Sequence, residues 1–454
     1  MTELSPAKPT VVVVYDVGSA SPLEIVRHVG AVADLIFVLA PSEHAVAMEP
    51  IICAFAPAVD WIDAETTAQA VRAVGTTDGV VTFSDRRLRE ASALAAALGH
   101  TFHAGDTARL LTDKNAQRIA LDAAGLPGPR FAQLRHAKDW QGAVAAVGLP
   151  AVLKPTVGEG SIDSYLIDDT DTGSATATRL LSAGDGRTFQ LEELLVGVPS
   201  GRFGDYVGVE SNTVDGVVEH IAITGKFALV PPFRESGQFW PAPVDDATAR
   251  AARDFTSSAL AALGLRNGMT HTELKLTAAG PRIIEVNGRV GGFVNDLALR
   301  HLGRDLLAEA ALVACRRPLP TSESRTDDVT FQFSSLAPND TVFIEAVAGV
   351  GDVRGVDGVA SYHLLVPCPG PLTPGVATQE LDLLCGTARD FPAMFALIER
   401  AQRTLRFKLR SADGQRRWVA AHELPSAPST ASAVAPLVGS HTQPGTASPP
   451  GTIR

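Results

Sequence analysis

The stretch MTHTELKLTAAGPRIIEVNGR, residues 269–289, says most about the fold. Two β-rich runs flank a short Ala-Ala-Gly turn, which predicts a hairpin. Successive side chains of a strand point to opposite faces, so each strand has one polar face. These faces are formed by His271, Glu273 and Lys275 on the first strand and by Glu285, Asn287 and Arg289 on the second.

The turn decides which residues of the hairpin face each other. With the loop at residues 278–280, Glu273 falls directly opposite Glu285, while Ile284 and Val286 share the other face. Like charges directly opposite destabilise a sheet, so two facing carboxylates need a cation. Mg²⁺ prefers oxygen ligands, and Asn287 adds a carbonyl oxygen. The alternative is a solvated hairpin whose two glutamates sit in water beside Lys275 and Arg289.

A glycine-rich loop lies upstream, in LPAVLKPTVGEGSIDSYLIDD, residues 149–169. A β-rich run with Lys154 leads into Gly158, Gly160 and Ser161, and a second β-rich run follows. Loop amides can cradle anionic oxygens, and a lysine adds a point charge. The spacing is not that of a P-loop, and an ordinary glycine turn between strands is the alternative.

Lysine is scarce in this chain. Only seven of the 39 basic residues are lysines, yet four of the seven lie in candidate site segments, at Lys114, Lys154, Lys226 and Lys275. The concentration of lysines in these segments indicates that the segments bind one anionic ligand together.

The rest of the chain predicts three structured regions and a tail. Residues 1–105 alternate strands and helices, which predicts a Rossmann-like parallel sheet. DVGSAS replaces the glycine fingerprint after the first strand, which argues against NAD. Residues 106–318 mix helices with hairpins, one of them at the turn Asp215-Gly216. Residues 319–423 predict a small α+β domain with strands VTFQF, TVFIEAV and YHLLVP and a helix FPAMFALIERAQRTLRF, and the Pro/Ser/Thr-rich residues 424–454 predict disorder.

Composition narrows the classes of partner. The 454 residues are 45% hydrophobic and 20% charged, with a net charge of −11. No basic run suggests nucleic acid or a membrane surface, so a small-molecule partner is expected. The first apolar run is too short for a signal peptide, which predicts a cytoplasmic protein. Four scattered cysteines suggest neither a disulfide framework nor a zinc site.

Taken in order, TDKNAQRIALDAAGLPGP, AVLKPTVGEGS, FQLEELLVG, GMTHTELKL and PRIIEVNGRVGG resemble the ATP-grasp superfamily. Within it they most resemble carboxylate–amine ligases of the L-amino-acid ligase and carnosine-synthase type. The resemblance covers residues 10–310 well. It implies a fold of α/β and α+β class: a Rossmann-like pre-ATP-grasp domain, a two-part ATP-grasp domain and a small α+β C-terminal domain.

The resemblance also implies roles for individual residues. Lys114 and Lys154 would contact ATP phosphates, and the loop at Gly158, Gly160 and Ser161 would close over them. Glu192, Glu193 and Leu195 would form the adenine hinge. Glu273, Glu285 and Asn287 would hold Mg²⁺, and Arg289 would act with Lys154 in catalysis and face the reacting carboxylate. His271 would border the substrate, with a packed structural histidine as the alternative.

Two segments extend the expected site. The family usually has an acid just after the hinge that binds the ribose; here VGVPSGRFGDYV is longer, and Asp205 is the substitute. KFALVPPFRESGQFWPAP resembles the substrate loop of the ligases, which would place Lys226, Phe233, Glu235, Ser236 and Gly237 near an amino-acid pocket. A Pro-rich surface loop is the alternative.

The implied reaction is ATP-dependent peptide-bond formation. The γ-phosphoryl group passes to an amino-acid carboxylate, and the amine of an amino acid or short peptide attacks the acyl phosphate. ATP and two Mg²⁺ ions would be required, with Mn²⁺ as a substitute, and the enzyme could be a homodimer. The alternatives are a purine-pathway or biotin-carboxylase type of ATP-grasp enzyme and a catalytically silent nucleotide-binding module. No methionine precedes a lysine, so the biotin-carrying motif is absent from this chain.

Overall fold

The N-terminal region is a parallel sheet covered by helices. In this computed structural model, which describes residues 8–320 and 326–427, strand order is β3-β2-β1-β4. Val11 and Val13 pack into one hydrophobic cluster and Val12 and Val14 into another, so β1 is buried on both faces. The elements are β1 (Thr10–Tyr15), α1 (Pro22–Val32), β2 (Asp34–Leu39), α2 (Glu43–Cys53), β3 (Ala58–Asp60), α3 (Ala64–Val74), β4 (Gly79–Val81) and α4 (Leu88–Leu98).

A small antiparallel sheet follows, with strand order β5-β8-β6-β7. Trp140 of α7 and Leu180 of α8 pack with Leu153 and Leu191 of the sheet, which leaves the other face for the site. The elements are α5 (Gly105–Thr112), α6 (Lys114–Ala123), β5 (Phe131–Leu134), α7 (Trp140–Val147), β6 (Ala151–Pro155), β7 (Tyr165–Ile167), α8 (Thr170–Leu181) and β8 (Phe189–Glu193).

The next strands form most of a large antiparallel sheet. β9 and β10 are joined by Asp215-Gly216, and both residues have positive φ, as a type I′ turn requires. This confirms the predicted hairpin. The elements are β9 (Phe203–Val214), β10 (Val217–Phe227), β11 (Gly237–Trp240), α9 (Asp246–Ala262), β12 (Gly268–Thr277), β13 (Gly280–Asn287), α10 (Val294–Leu302) and α11 (Leu306–Ala314).

The C-terminal region completes that sheet and adds another. Eight strands run in the order β13-β12-β9-β10-β11-β14-β18-β16, and a separate sheet has the order β17-β15-β19-β20. The large sheet thus joins residues on both sides of the predicted boundary at residue 318. The elements are β14 (Val329–Phe333), β15 (Thr341–Ala348), α12 (Val350–Arg354), β16 (Val359–Leu364), β17 (Gly370–Pro371), β18 (Asp382–Ala388), α13 (Phe391–Thr404), β19 (Arg406–Ser411) and β20 (Arg416–Ala420).

Three details of the C-terminal prediction need correction. The predicted helix ends at Thr404, because residues 406–411 pair with β15 as a strand. The strand predicted at YHLLVP lies earlier, at Val359–Leu364. Leu424, expected to begin the tail, is buried in the C-terminal core, and residues 428–454 lie outside the described residues. No described helix is long and apolar enough to cross a membrane.

Candidate functional site

A cavity of about 400 Å³ is lined by residues of the small β5-β8-β6-β7 sheet and of the eight-stranded sheet. It brings together most of the side chains that the sequence singled out, including all four lysines of the candidate segments. The predicted site residues that line it are Lys114, Lys154, Gly158, Gly160, Ser161, Glu192, Glu193, Leu195, Lys226, Phe233, Glu235, Gly237, His271, Glu273, Glu285, Asn287 and Arg289.

The hairpin places Glu273 directly opposite Glu285, as predicted, but by a different register. The turn has two residues rather than three, since Thr277 already pairs with Gly280. A bulge at Ile284 then adds one residue to the second strand and restores the Glu273–Glu285 pairing. The bulge therefore creates the facing carboxylates.

The bulge also corrects the predicted faces of β13. Ile283, not Ile284, joins Val286 in the hydrophobic core, while Ile284 lines the cavity. The extra residue reverses the alternation at this point, because each residue of a strand switches face. Arg289 lies two residues beyond the end of β13.

Lys154 is held in a buried ion-pair group. Its Nζ lies 2.7 Å from Glu192 Oε2, and Arg118 Nε lies 2.7 Å from Glu192 Oε1. Burial by itself raises the pKa of Glu192, but Arg118 and Lys154 outweigh it and lower the pKa to about 2. The Glu192 side chain therefore holds the lysine, and the place of Glu192 in an adenine hinge stays a prediction.

Lys114 begins α6, whose N-cap is Asp113. Its Nζ lies 2.5 Å from Glu285 Oε1 and 2.7 Å from the carbonyl oxygen of Gly158. One ammonium group thus joins the facing carboxylates to the glycine-rich loop.

The segment after β8 offers few free backbone donors to a base. The amide of Glu193 donates to the Arg130 carbonyl at 2.9 Å, and that of Leu194 to the Pro150 carbonyl at 3.3 Å. The carbonyl of Glu193 can still accept, and Leu195 lines the cavity.

The glycine-rich loop is fixed to the far side of the cavity. The Ser161 hydroxyl donates to the Phe233 carbonyl at 2.8 Å, and the Thr378 amide donates to the Gly160 carbonyl at 2.9 Å. Gly160 and Ser161 both have positive φ, which explains a glycine at the first position. The loop is therefore closed over the cavity in this structure.

Arg289 is oriented by the N-terminal region. Its Nε donates to Asp85 Oδ2 at 2.8 Å, and Asp85 follows the end of β4. The second oxygen of Asp85 is buried and has no hydrogen-bond partner among the described residues. Asp85 thus positions the guanidinium group at the cavity wall.

His271 is buried and bound at both ring nitrogens. Nδ1 lies 2.7 Å from Glu210 Oε1 and Nε2 lies 3.3 Å from Glu273 Oε1. Burial by itself lowers the pKa of His271, but Glu210 and Glu273 outweigh it and raise the pKa to about 9. The imidazolium ring therefore lines the cavity and also holds Glu273 in place.

Two predicted residues do not reach the cavity. Asp205 is bound by the ammonium group of Lys275 at 2.6 Å, and it is Lys275 that lines the cavity, so the position of Asp205 does not support contact with a ribose. Ser236 lies between Glu235 and Gly237 in an extended segment, where alternation turns its side chain away, and its carbonyl accepts from the Ser334 amide.

The structure adds residues that sequence reasoning missed. Arg118 lies one helical turn after Lys114, so the helix period could have found it. Asp85 could have been found because ligand-binding residues often follow the carboxyl ends of parallel strands. No local signal marked Tyr206, Phe293, Gln332, Thr378 or Glu380, which also line the cavity, whereas Gln238 lies in the segment that resembles the substrate loop.

The donor set of the hairpin fits a divalent cation shared with a ligand. Among the described residues, no group of three or more His, Cys, Asp or Glu could hold a metal by itself. Glu273, Glu285 and Asn287 offer oxygen atoms on one wall of the cavity. One or two carboxylates with substrate phosphates is the usual arrangement around Mg²⁺.

The sequence is similar to an alanine–anticapsin ligase and to a carnosine synthase, although no family model matches it. It is 29% identical over 197 residues to alanine–anticapsin ligase of Bacillus subtilis, covering 40% of this chain and 42% of the relative. It is 29% identical over 286 residues to human carnosine synthase 1, covering 58% and 34%. An uncharacterised protein of Sinorhizobium fredii is 32% identical over 255 residues, covering 56% and 52%. The chain thus spans about half or less of the length of these relatives.

Solved structures share the fold over nearly the whole chain. An L-amino acid ligase from Bacillus licheniformis superposes with a TM-score of 0.73 at 18% identity, covering 89% of this chain and 99% of that one. A carboxyaminoimidazole ribonucleotide synthase of an Aspergillus species, solved with ATP, gives 0.68 at 15% identity, covering 87% and 99%. The chain thus has the ATP-grasp fold, as its motifs predicted, and is similar in sequence to alanine–anticapsin ligase and carnosine synthase.

Proposed function

We propose that this protein is an ATP-dependent ligase that joins the carboxylate of one amino acid to the amine of an amino acid or short peptide. The observation that carries the proposal is the cavity in which Glu273 faces Glu285 beside Lys114, Lys154 and Arg289. Facing carboxylates are unfavourable unless a cation lies between them or beside them. The surrounding ammonium and guanidinium groups suit a polyphosphate and a second anion.

The triphosphate of ATP would lie between the glycine-rich loop and the hairpin. Lys154 and Lys114 would neutralise phosphate oxygens, and Gly158 and Gly160 allow the loop backbone to approach them closely. Glu273, Glu285 and Asn287 would hold Mg²⁺, which supplies charge neutralisation to the phosphoryl group in transfer. Phosphoryl transfer depends on positioning and electrostatics, so no protein nucleophile is required.

Arg289 would bind the carboxylate that receives the phosphoryl group. The resulting acyl phosphate is attacked by the amine, phosphate leaves, and an amide bond forms. Negative charge develops on the carbonyl oxygen during this attack, and a fixed guanidinium stabilises it. The ion pair with Asp85 holds the guanidinium in its orientation before substrate arrives.

The alternatives have less support. Purine-pathway synthetases and biotin carboxylases share the fold at 14–16% identity, whereas the named sequence relatives, at 29–30% identity, are alanine–anticapsin ligases and carnosine synthases. A silent nucleotide-binding module would have no need for the two facing glutamates together with Arg289. Four points stay predictions from the sequence. They are the use of two Mg²⁺ ions or of Mn²⁺ in their place, a homodimer, a cytoplasmic location and the predicted domain boundaries.

A screen of paired amino acids and short peptides tests the function. Phosphate release is measured with ATP and Mg²⁺, and we expect at least one pair to raise it well above the rate with ATP alone. Arg289→Ala should remove that stimulation, whereas Arg316→Ala, a change in an exposed arginine outside the cavity, should not. If no pair stimulates phosphate release, the ligase proposal fails.

A further inference from the structure

One wall of the cavity is supplied by the C-terminal region. Glu380, Thr378 and Leu383 line it together with Gln332 of β14. The backbone around Glu380 is fixed, because Leu336 and Glu380 form a β-bridge and the Leu381 amide donates to the Ser335 carbonyl at 2.9 Å. Backbone hydrogen bonds therefore fix the segment that carries Glu380, and the Glu380 side chain lines the cavity.

Glu380 differs from the other acids of the cavity. Each of them has a nitrogen of Lys, Arg or His within 4 Å, whereas Glu380 has none within residues 8–320 and 326–427. The paired acids are Glu159, Glu192, Glu193, Glu235, Glu273 and Glu285.

The surroundings of Glu380 disfavour its charged form. Burial raises the pKa of Glu380 to about 7, and repulsion from Glu235 and Asp382 adds to this, while a hydrogen bond with Ser334 and attraction to Lys226 offset only part of the rise. A positive group placed beside the carboxyl would remove the repulsion.

A second polar group faces the same part of the cavity. Tyr206 is only 2% exposed and lines the cavity, and its hydroxyl has no well-aligned hydrogen-bond partner among the described residues. The Tyr206 hydroxyl interacts with the Glu235 carboxylate, and its oxygen can still accept a hydrogen bond from a donor in the cavity. Glu235 is a neighbour of both Tyr206 and Glu380.

We propose that Glu380, with the Tyr206 hydroxyl beside the same acidic neighbour, binds a positively charged nitrogen of an amino-acid substrate. Glu380 is then a specificity-determining residue contributed by the C-terminal region. This inference rests on the proposed function. It adds that the part of the cavity around Glu380 selects a positively charged group of the substrate. The nearby cations already have carboxylate partners: Lys226 interacts with Glu210, Glu235 and Glu273, and His271 with Glu210 and Glu273.

Calorimetric titration tests the proposal without depending on turnover. The probes are two matched pairs, L-alanine with propionate and L-lysine with L-norleucine, titrated at pH 8, where Glu380 is charged, with and without ADP and Mg²⁺. The first pair reports on the α-ammonium of the activated acid, and the second on a cationic side chain of the amine substrate. The variants are Glu380→Gln and, as a control, Glu49→Gln, an exposed acid outside the cavity.

In at least one pair, we expect the wild-type protein and Glu49→Gln to prefer the member with the extra positive charge. Glu380→Gln should weaken its binding about tenfold or more and abolish that preference. Glutamine matches the neutral carboxyl group in size and charge, so an unchanged unfolding temperature is expected. A preference that survives in Glu380→Gln, or the absence of any preference in wild type, overturns the proposal. Failure of the ligase function would appear separately, as absent phosphate release.

Discussion

The two lysines proposed to contact phosphate are held in contrasting ways. Lys154 lies in a buried group with Glu192 and Arg118, and Glu192 is only 5% exposed. Lys114 is bound instead to Glu285 and to the Gly158 carbonyl, on a more accessible wall. Glu192, the partner of Lys154, stabilises the fold, whereas Glu285, the partner of Lys114, is a proposed metal ligand.

Because of this difference, we expect Glu192 to affect mainly the stability of the protein and Glu285 mainly its activity. Glu192 keeps its two cations whether or not ATP is present, so Lys154 is preorganised. Glu285 would transfer from Lys114 to Mg²⁺ when nucleotide binds, which frees the Lys114 ammonium group for a phosphate. The same chemical change, a glutamate to glutamine, should therefore have opposite consequences at the two positions.

The largest expected effect on folding is that of Glu192→Gln. It leaves the cations of Arg118 and Lys154 buried without a counter-charge, which costs about 3–5 kcal/mol. Chemical denaturation measures this loss, and Glu285→Gln is the matched control, with a change below about 1 kcal/mol. Equal losses in the two variants would remove the distinction between the two lysines.

Glu192 also predicts a pH dependence. Its pKa falls from an ordinary 4.5 to about 2 in the folded protein, so its contribution is present above pH 4.5 and is lost as the pH falls through 2. The gap in free energy of unfolding between wild type and Glu192→Gln should be constant from pH 7 to 5 and shrink below pH 4.5. A gap that stays constant down to pH 3 contradicts the assigned ion pairs.

Glu285→Gln should act on catalysis. Loss of one metal-binding carboxylate is expected to lower amine-dependent phosphate release by at least about 100-fold, equivalent to about 2.7 kcal/mol of transition-state stabilisation. The unfolding temperature provides the folding control. Turnover close to wild type would argue against Glu285 as a metal ligand.

Lys114→Gln should have a smaller effect, mainly on ATP. Removing one of two point charges is expected to raise the KM for ATP by roughly tenfold, or about 1.4 kcal/mol. Steady-state kinetics at varied ATP measures it, with Lys8→Gln, outside the cavity, as the control. An unchanged KM would show that Lys114 does not reach the nucleotide.

The smallest effect is expected where the N-terminal region contacts the glycine-rich loop. Arg86 pairs with Glu159 at 2.7 Å, but the arginine side chain is 49% exposed. Exposed pairs contribute about 0–1 kcal/mol, so Arg86→Ala should change stability and phosphate release only slightly. A severe loss of activity would reveal that this pair controls loop closure.

Much of the site followed from local sequence because short-range rules apply there. Residue alternation put Glu273 on the polar face of its strand, and the Asp215-Gly216 turn was recognisable from its residues alone. The glycine-rich loop and the four lysines were likewise visible, and the structure brings them to one cavity. These features depend on neighbours along the chain.

The features that the sequence did not reveal depend on partners distant in the chain. The ion pairs of Glu192 with Arg118 and of Asp205 with Lys275 join residues 74 and 70 positions apart. The bulge at Ile284 is also a tertiary outcome. It lets Ile283 and Val286 share the core while Glu285 stays opposite Glu273.

The sequence by itself determined the class of fold, the hairpin, the glycine-rich loop and the residue types that face an anion, because periodicity and turn chemistry act over a few residues. Only the tertiary structure decided which charges meet. Asp85 reaches Arg289 across 204 positions, and Glu380 joins the cavity from a strand region far from the hairpin. Ion pairs form between groups that packing brings within a few ångströms, and separation along the chain carries no record of that distance.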